Sequence, residues 1–182
     1  MLSWTRKTQA FWRTPPTAPS ADAYQYGIAA VSRRDGRAMI RAGWTLWRSD
    51  GLHERQSRDL LLDGYTIWRD SDDFDPDEAL SFLIDLFETL LMQRPPYCPA
   101  NIWAAPQGDV MPAASYHATR AWAATQLLID ASRLGCTDLF ERYERTAFDT
   151  LAATPPDFLP PRSIEVGRQL ATRLGVSAPW PR

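Results

Sequence analysis

From residue 76 onward, apolar positions recur at helical spacing. Leu80, Leu83, Ile84, Phe87, Leu90 and Leu91 form one stripe, the signature of an amphipathic helix. Pro95-Pro96 ends it, because proline cannot continue the hydrogen-bond ladder. A proline-punctuated connector, residues 97–114, leads to a second helix predicted from Ser115 to Leu134, with Gly135 as its terminating glycine. Thr137 is placed to cap a third helix, with Asp138 and Glu141 in its first turn. After TPPDFLPP, Ser163 is placed to cap a fourth. Gly167, Leu170, Ala171 and Leu174 form its packing stripe, and Gly175 lies past its end.

Upstream, the pattern reads with period two. The stretch AYQYGIAAVSRRDGRAMIRAGWTLWR has β-rich runs on both sides of Asp35-Gly36, and Asp-Gly is a strong signal for a type I′ hairpin turn. A two-residue loop sets Arg34 opposite Arg37, Val31 opposite Ile40, Gly27 opposite Trp44 and Tyr24 opposite Trp47. One face then collects Gly27, Ala29, Val31, Ile40, Ala42, Trp44 and Leu46. The other collects Tyr24, Tyr26, Ile28, Met39, Arg41 and Trp47. Residues 52–70 admit either a second hairpin through Asp63-Gly64 or a short helix over 53–62 with Gly64 near its C-terminus. Tyr65–Arg69 reads as a strand in both cases. The expected fold class is α+β: a small antiparallel sheet of three or four strands in the N-terminal half, packed against about four C-terminal helices. Residues 1–22 are read as an N-terminal arm and 23–182 as a single α+β domain.

Composition changes this picture little. The chain has 182 residues, enough for one core, and a formal net charge of −2 gives no whole-protein drive toward nucleic acid. Two cysteines make no disulfide framework. The longest apolar run, ALSFLIDLFETLLM, is interrupted by Asp85 and Glu88, and MLSWTRKTQAFWR lacks the apolar stretch of a signal peptide. A cytoplasmic protein with no membrane association is expected.

Residues 69–78, RDSDDFDPDE, carry six acidic side chains. A calcium loop begun at Asp73 has Glu78 where glycine is required and Ile84 where the bidentate Glu belongs. Helix initiation fits better: Asp75 is the N-cap, Pro76 the first helical residue, and Asp77 and Glu78 sit at the positive end of the helix dipole. Phe74 is placed to staple onto Ala79. Asp70, Asp72 and Asp73 are surplus to that role, and form an acidic patch suited to a basic protein partner. The opposite pole is the presumed hairpin tip. Arg33, Arg34, Arg37 and Arg41, beside Tyr24, Tyr26 and Trp47, form an alternative nucleic-acid-binding surface, in which arginine grips phosphate and the rings stack on bases.

Catalytic and metal motifs are missing. His53 and His117 do not form H-x-x-x-H, and Cys98 and Cys136 do not form C-x-x-C. Cys136 paired in space with His117 is the one nucleophile the sequence offers to an enzyme of unrecognised type. No cofactor and no metal are called for. Trp44 and Trp122 are expected in the core, whereas Trp4, Trp12, Trp47 and Trp180 are harder to place inside, and tryptophan and arginine dominate binding hot spots. The preferred expectation is a non-catalytic protein–protein interaction module. Its analogues would be inhibitors, immunity-type partners or assembly subunits of bacterial or phage systems.

Overall fold

The computed structural model describes residues 10–13, 22–48, 54–93 and 107–180, with side chains of the last segment described from Ser115. Seven α-helices cover most of them: α1 Ala23–Arg33, α2 Gly36–Arg48, α3 Glu54–Arg69, α4 Pro76–Met92, α5 Gln107–Arg133, α6 Thr137–Ala153 and α7 Pro161–Leu174. Short 3₁₀ turns occupy Phe11–Arg13 and Pro156–Phe158. No strand occurs among the described residues, so the expected α+β class is overturned: the hairpin, the strand Tyr65–Arg69 and the antiparallel sheet are all helix. The chain divides into two compact units, Met1–Phe82 and Leu83–Arg182, with the division inside α4.

Asp35-Gly36 joins two helices instead of two strands. The positive φ that a type I′ turn would put on these residues falls one residue earlier, on Arg34 at 53°. Arg34 N–H donates to Val31 O and Asp35 N–H to Ala30 O, both at 3.0 Å, which is the Schellman ending of a helix. The Asp35 carboxylate then accepts from Ala38 N–H at 2.9 Å, capping α2. An arginine in the left-handed region is strained by about 1–2 kcal/mol. Arg34→Gly is therefore expected to stabilise the protein by about 0.5–1 kcal/mol, after the extra entropy that glycine gives the unfolded chain. Urea unfolding measures this, and an unchanged or lowered midpoint refutes it.

α2 makes its most extensive contacts with α3, and small residues set their approach. A β-carbon on Gly36 would lie 2.4 Å from the Trp68 backbone nitrogen and 2.5 Å from Gly64 O; one on Gly64 would lie 2.9 Å from Gly36 O. Seven residues further along α2, a β-carbon on Gly43 would lie 2.9 Å from Ser57 O, and Ser57 Oγ–H donates to Gly43 O at 2.7 Å. The pairs Gly36–Gly64 and Gly43–Ser57 let the two backbones nearly touch, which a side chain at any of the three glycines would prevent.

An aromatic cluster fills the rest of the first unit. Phe82, fully buried, holds Trp12 at 5.5 Å, Tyr65 at 5.9 Å and Trp44 at 6.1 Å between ring centroids. Trp68 meets Phe11 and Phe74 edge-to-face at 5.3 Å each, the offset geometry that aromatic quadrupoles favour. Phe74 thus packs on Trp68 in addition to any staple. Within the expected arm, Phe11 and Trp12 are buried here; Trp4 lies outside the described residues.

The second unit is built on α5. Tyr116 O–H donates to Leu90 O at 2.8 Å, and Tyr143 O–H to Glu88. α5 starts at Gln107, eight residues before the predicted Ser115. Gly135 and Gly175 carry the positive φ (69° and 66°) expected of helix-ending glycines. Two caps differ from expectation. Cys136 occupies the N-cap of α6 without a side-chain capping bond, making Thr137 the first helical residue. Pro160 precedes α7, and Ser163 lies inside it, buried, accepting from Thr125 Oγ–H at 2.9 Å. Trp180 folds back over Gly167, where a β-carbon would meet its ring at 2.4 Å.

Candidate protein interface

The N-terminal unit carries an apolar groove of about 170 Å³ between α1, α2 and α3. Tyr24, Ile28 and Val31 contribute one wall, Met39 and Leu60 the floor. These side chains follow from helical spacing. On α1, Ala23, Gly27 and Ala30 turn inward, and the small inner face leaves Ile28 and Val31 on the outside, 45% and 49% exposed. Isolated exposed aliphatics are ordinary; two adjacent ones beside a groove form a patch.

The opposite wall belongs to α3 and is acidic. Gln56, Asp59 and Asp63 line it. Asp59, Asp63 and Asp70 recur at four and seven residues, so they share one helical stripe running into the turn that holds Asp72 and Asp73. Asp59 is paired with Arg58 at 2.8 Å. Asp63 and Asp72 are exposed and have no ion pair or hydrogen bond among the described residues.

The candidate interface residues singled out in the sequence all fall among the described residues. Asp70 and Asp72 are exposed; Asp70 lies 3.9 Å from Arg69. Asp73 accepts from Ser71 Oγ–H and stands 3.9 Å from Arg37. Helix initiation at DPDE has the expected form: Asp75 Oδ1 accepts from Asp77 N–H at 2.9 Å and Glu78 N–H at 3.1 Å. The four arginines do not form one surface. Arg33 and Arg34 are exposed at the end of α1. Arg37 lies over the Phe11 ring at 4.2 Å and reaches Glu78 at 3.0 Å, while Arg41 Nε–H donates to Phe11 O at 3.2 Å. Tyr24 lines the groove, Tyr26 packs against the first unit's small-residue core, and Trp47 is half-buried against Trp44 at 5.6 Å. The sheet face on which those rings were to stack bases is absent with the sheet.

Two further expectations meet plain geometry. Trp12 and Trp180, expected to resist burial, are 2% and 6% exposed, while Trp122 is only half-buried. Cys136 and His117 cannot meet: 16 residues of continuous helix separate His117 from Arg133, about 24 Å at 1.5 Å per residue. His53 and Cys98 lie outside the described residues. Among the described residues no three His, Cys, Asp or Glu side chains converge in a way that could hold a metal, and no helix is long and apolar enough to cross a membrane. A second groove, about 440 Å³ between α5, α6 and α7, is floored by Leu128, Phe140 and Leu170. The Arg173 at its edge is already held by Glu144 at 2.6 Å.

Sequence reasoning missed Ile28 and Val31 as surface residues because it placed them on faces of a strand. The signal for them is the inward spacing of Ala23, Gly27 and Ala30. No protein-family model matches the chain, and no curated protein and no solved structure matches it.

Proposed function

We propose that this protein is a non-catalytic interaction module that receives a basic, amphipathic segment of a protein partner in the groove between α1 and α3. The observation that carries the reading is the pairing of exposed Ile28 and Val31 with the Asp59–Asp63–Asp70 stripe across one groove. A helix with an apolar face flanked by lysine or arginine would bury the first and neutralise the second, and complementary charge would speed the encounter. The patch read from the sequence at Asp70, Asp72 and Asp73 becomes the end of this stripe. This mode of docking is compatible with an inhibitor, an immunity-type partner or an assembly subunit, and a cytoplasmic setting suits Cys136 as a thiol.

The test places a photo-crosslinking residue at Ile28 in the source cells. Adducts should form with a partner segment rich in Lys or Arg, and Val31→Glu should reduce their yield at least tenfold. Reversing Asp63, Asp70 and Asp72 to Arg should reduce it similarly, with the loss greatest at low ionic strength. Adducts no more abundant at Ile28 than at exposed Glu165, or a partner segment that is not basic, would overturn the reading.

A further inference from the structure

The groove between α1 and α3 has a direction. Gly27, in the middle of α1, faces Leu60: a β-carbon on Gly27 would lie 2.7 Å from Leu60 Cδ1. Beyond them the junction of α1 with α2 sits on α3. There Gly36 lies against Gly64, and a β-carbon on Gly64 would lie 2.9 Å from Met39 Cβ. Val31, one turn after Gly27, therefore stands at the Asp63 end of the groove, and Tyr24, one turn before, at the Gln56 end. From Tyr24 to Val31 is about 10 Å at 1.5 Å per residue.

The two carboxylates on its wall are not equivalent. Asp59 Oδ1 accepts from Arg58 Nε–H at 3.0 Å and Nη2–H at 2.8 Å, and Arg55 Nε stands 3.9 Å from Oδ2. Two guanidinium groups thus offset one carboxylate. Asp63 is exposed and has no ion pair or hydrogen bond among the described residues. No described basic side chain lines the groove beside it. Size sets a second limit. The groove's 170 Å³ is close to the ~150 Å³ of an apolar cavity that admits one benzene ring. It has room for one side chain of the size of Leu, Met or Phe, not for the row of anchors that a long amphipathic helix presents.

We propose that the groove reads a two-point motif: one large apolar side chain seated over Met39 and Leu60, and one Lys or Arg a single helical turn away that meets Asp63. The inference rests on the interaction reading above and narrows it, making Asp63 rather than the whole acidic stripe the specificity-determining residue. Residues three or four apart on a helix stand about 5–6 Å from each other, half the length of the groove. An anchor at its centre therefore places its basic neighbour over the Val31–Asp63 end. One turn in the other direction lie Tyr24 and Gln56, which are uncharged and accept a neutral residue. An acidic residue at the basic position would face Asp63 with no guanidinium between them, so the groove rejects partners as well as selecting them.

The experiment selects random peptides, displayed on phage, against the full chain, and then measures the affinity of the most enriched one as a synthetic peptide. Enriched sequences should share one large apolar residue with Lys or Arg three or four positions to one side. Asp63→Asn should weaken the peptide at least threefold, and Asp59→Asn by less than about twofold. Changing the peptide's basic residue to Gln should weaken wild-type binding as much as Asp63→Asn does, and should cost nothing further in that variant, the mark of a direct pair. Asp63→Lys should prefer the peptide with Glu at that position. No enrichment, or a peptide that binds Val31→Glu as well as the wild type, would overturn both this proposal and the docking reading. A peptide that needs Val31 but loses equally in Asp59→Asn and Asp63→Asn, or whose basic residue is not coupled to Asp63, would overturn the two-point motif alone and leave the groove an interface.

Discussion

Trp68→Ala is expected to destabilise the N-terminal unit by about 3–5 kcal/mol, the range for emptying a buried tryptophan site. Trp68 is 1% exposed and touches Phe11, Tyr65 and Phe74. Two features push the effect toward the upper end. The indole underlies the Arg37 guanidinium at 5.4 Å, so its loss removes one ring from beneath a cation that Phe11 also covers. The indole N–H also donates, at 3.4 Å, to Asp73 O in the acidic turn. Trp68→Phe should cost less, about 1–2 kcal/mol, because a ring remains to meet Phe11 and Phe74 while the bond to Asp73 goes. Denaturant unfolding separates the two variants, and hydrogen exchange at Ala10–Arg13 and in the turn 70–75 reports what each releases. A loss below about 1 kcal/mol for Trp68→Ala would show that the cluster repacks, contrary to the close-packed interior described above.

The C-terminal half was legible because its signals are specific to helices. Asp75, Pro76, Asp77 and Glu78 have meaning together only at a helix start, and Gly135 and Gly175 only at helix ends. The N-terminal half misled for a physical reason. Asp-Gly serves equally as the centre of a type I′ turn and as the N-cap and first residue of a helix. The required left-handed residue is Arg34, which carries no glycine signal. α2 is buried at Ala38, Met39, Ile40, Ala42, Trp44 and Leu46, so almost any period fits its apolar positions. The polar positions Arg37, Arg41 and Thr45 recur every four residues, a spacing that shares one face in a helix and in a strand alike, so they did not decide the matter either. That stripe is where the Phe11–Arg13 turn packs.

The candidate interface was legible only at its edge. Asp70 and Asp72 stood out as charge that helix initiation did not need, and both remain exposed. Asp59 and Asp63 were overlooked because they join that patch only when residues 54–69 form one helix. Ile28 and Val31 depended on the same correction.

Gly36→Ala is expected to cost about 3 kcal/mol or more, at the top of the range for overpacking. The added methyl would meet backbone, the Trp68 nitrogen at 2.4 Å and Gly64 O at 2.5 Å, and backbone inside two helices cannot step aside. The α2–α3 crossing would have to open, drawing Ser57 away from Gly43 and loosening Trp68 against Phe11. Gly27→Ala provides the contrast. Its methyl would meet the end of the Leu60 side chain at 2.7 Å and the Ala42 methyl at 3.3 Å. Leu60 can change rotamer, and alanine in a helix interior gains about 1 kcal/mol over glycine. The two effects oppose each other, so Gly27→Ala should change stability by less than about 1 kcal/mol. Comparable costs for the two variants would mean that the helices approach less closely than Gly36 and Gly64 require. A large cost at Gly36 alone would establish that the pair holds α2 against α3, and with it the groove wall on which Asp59 and Asp63 stand.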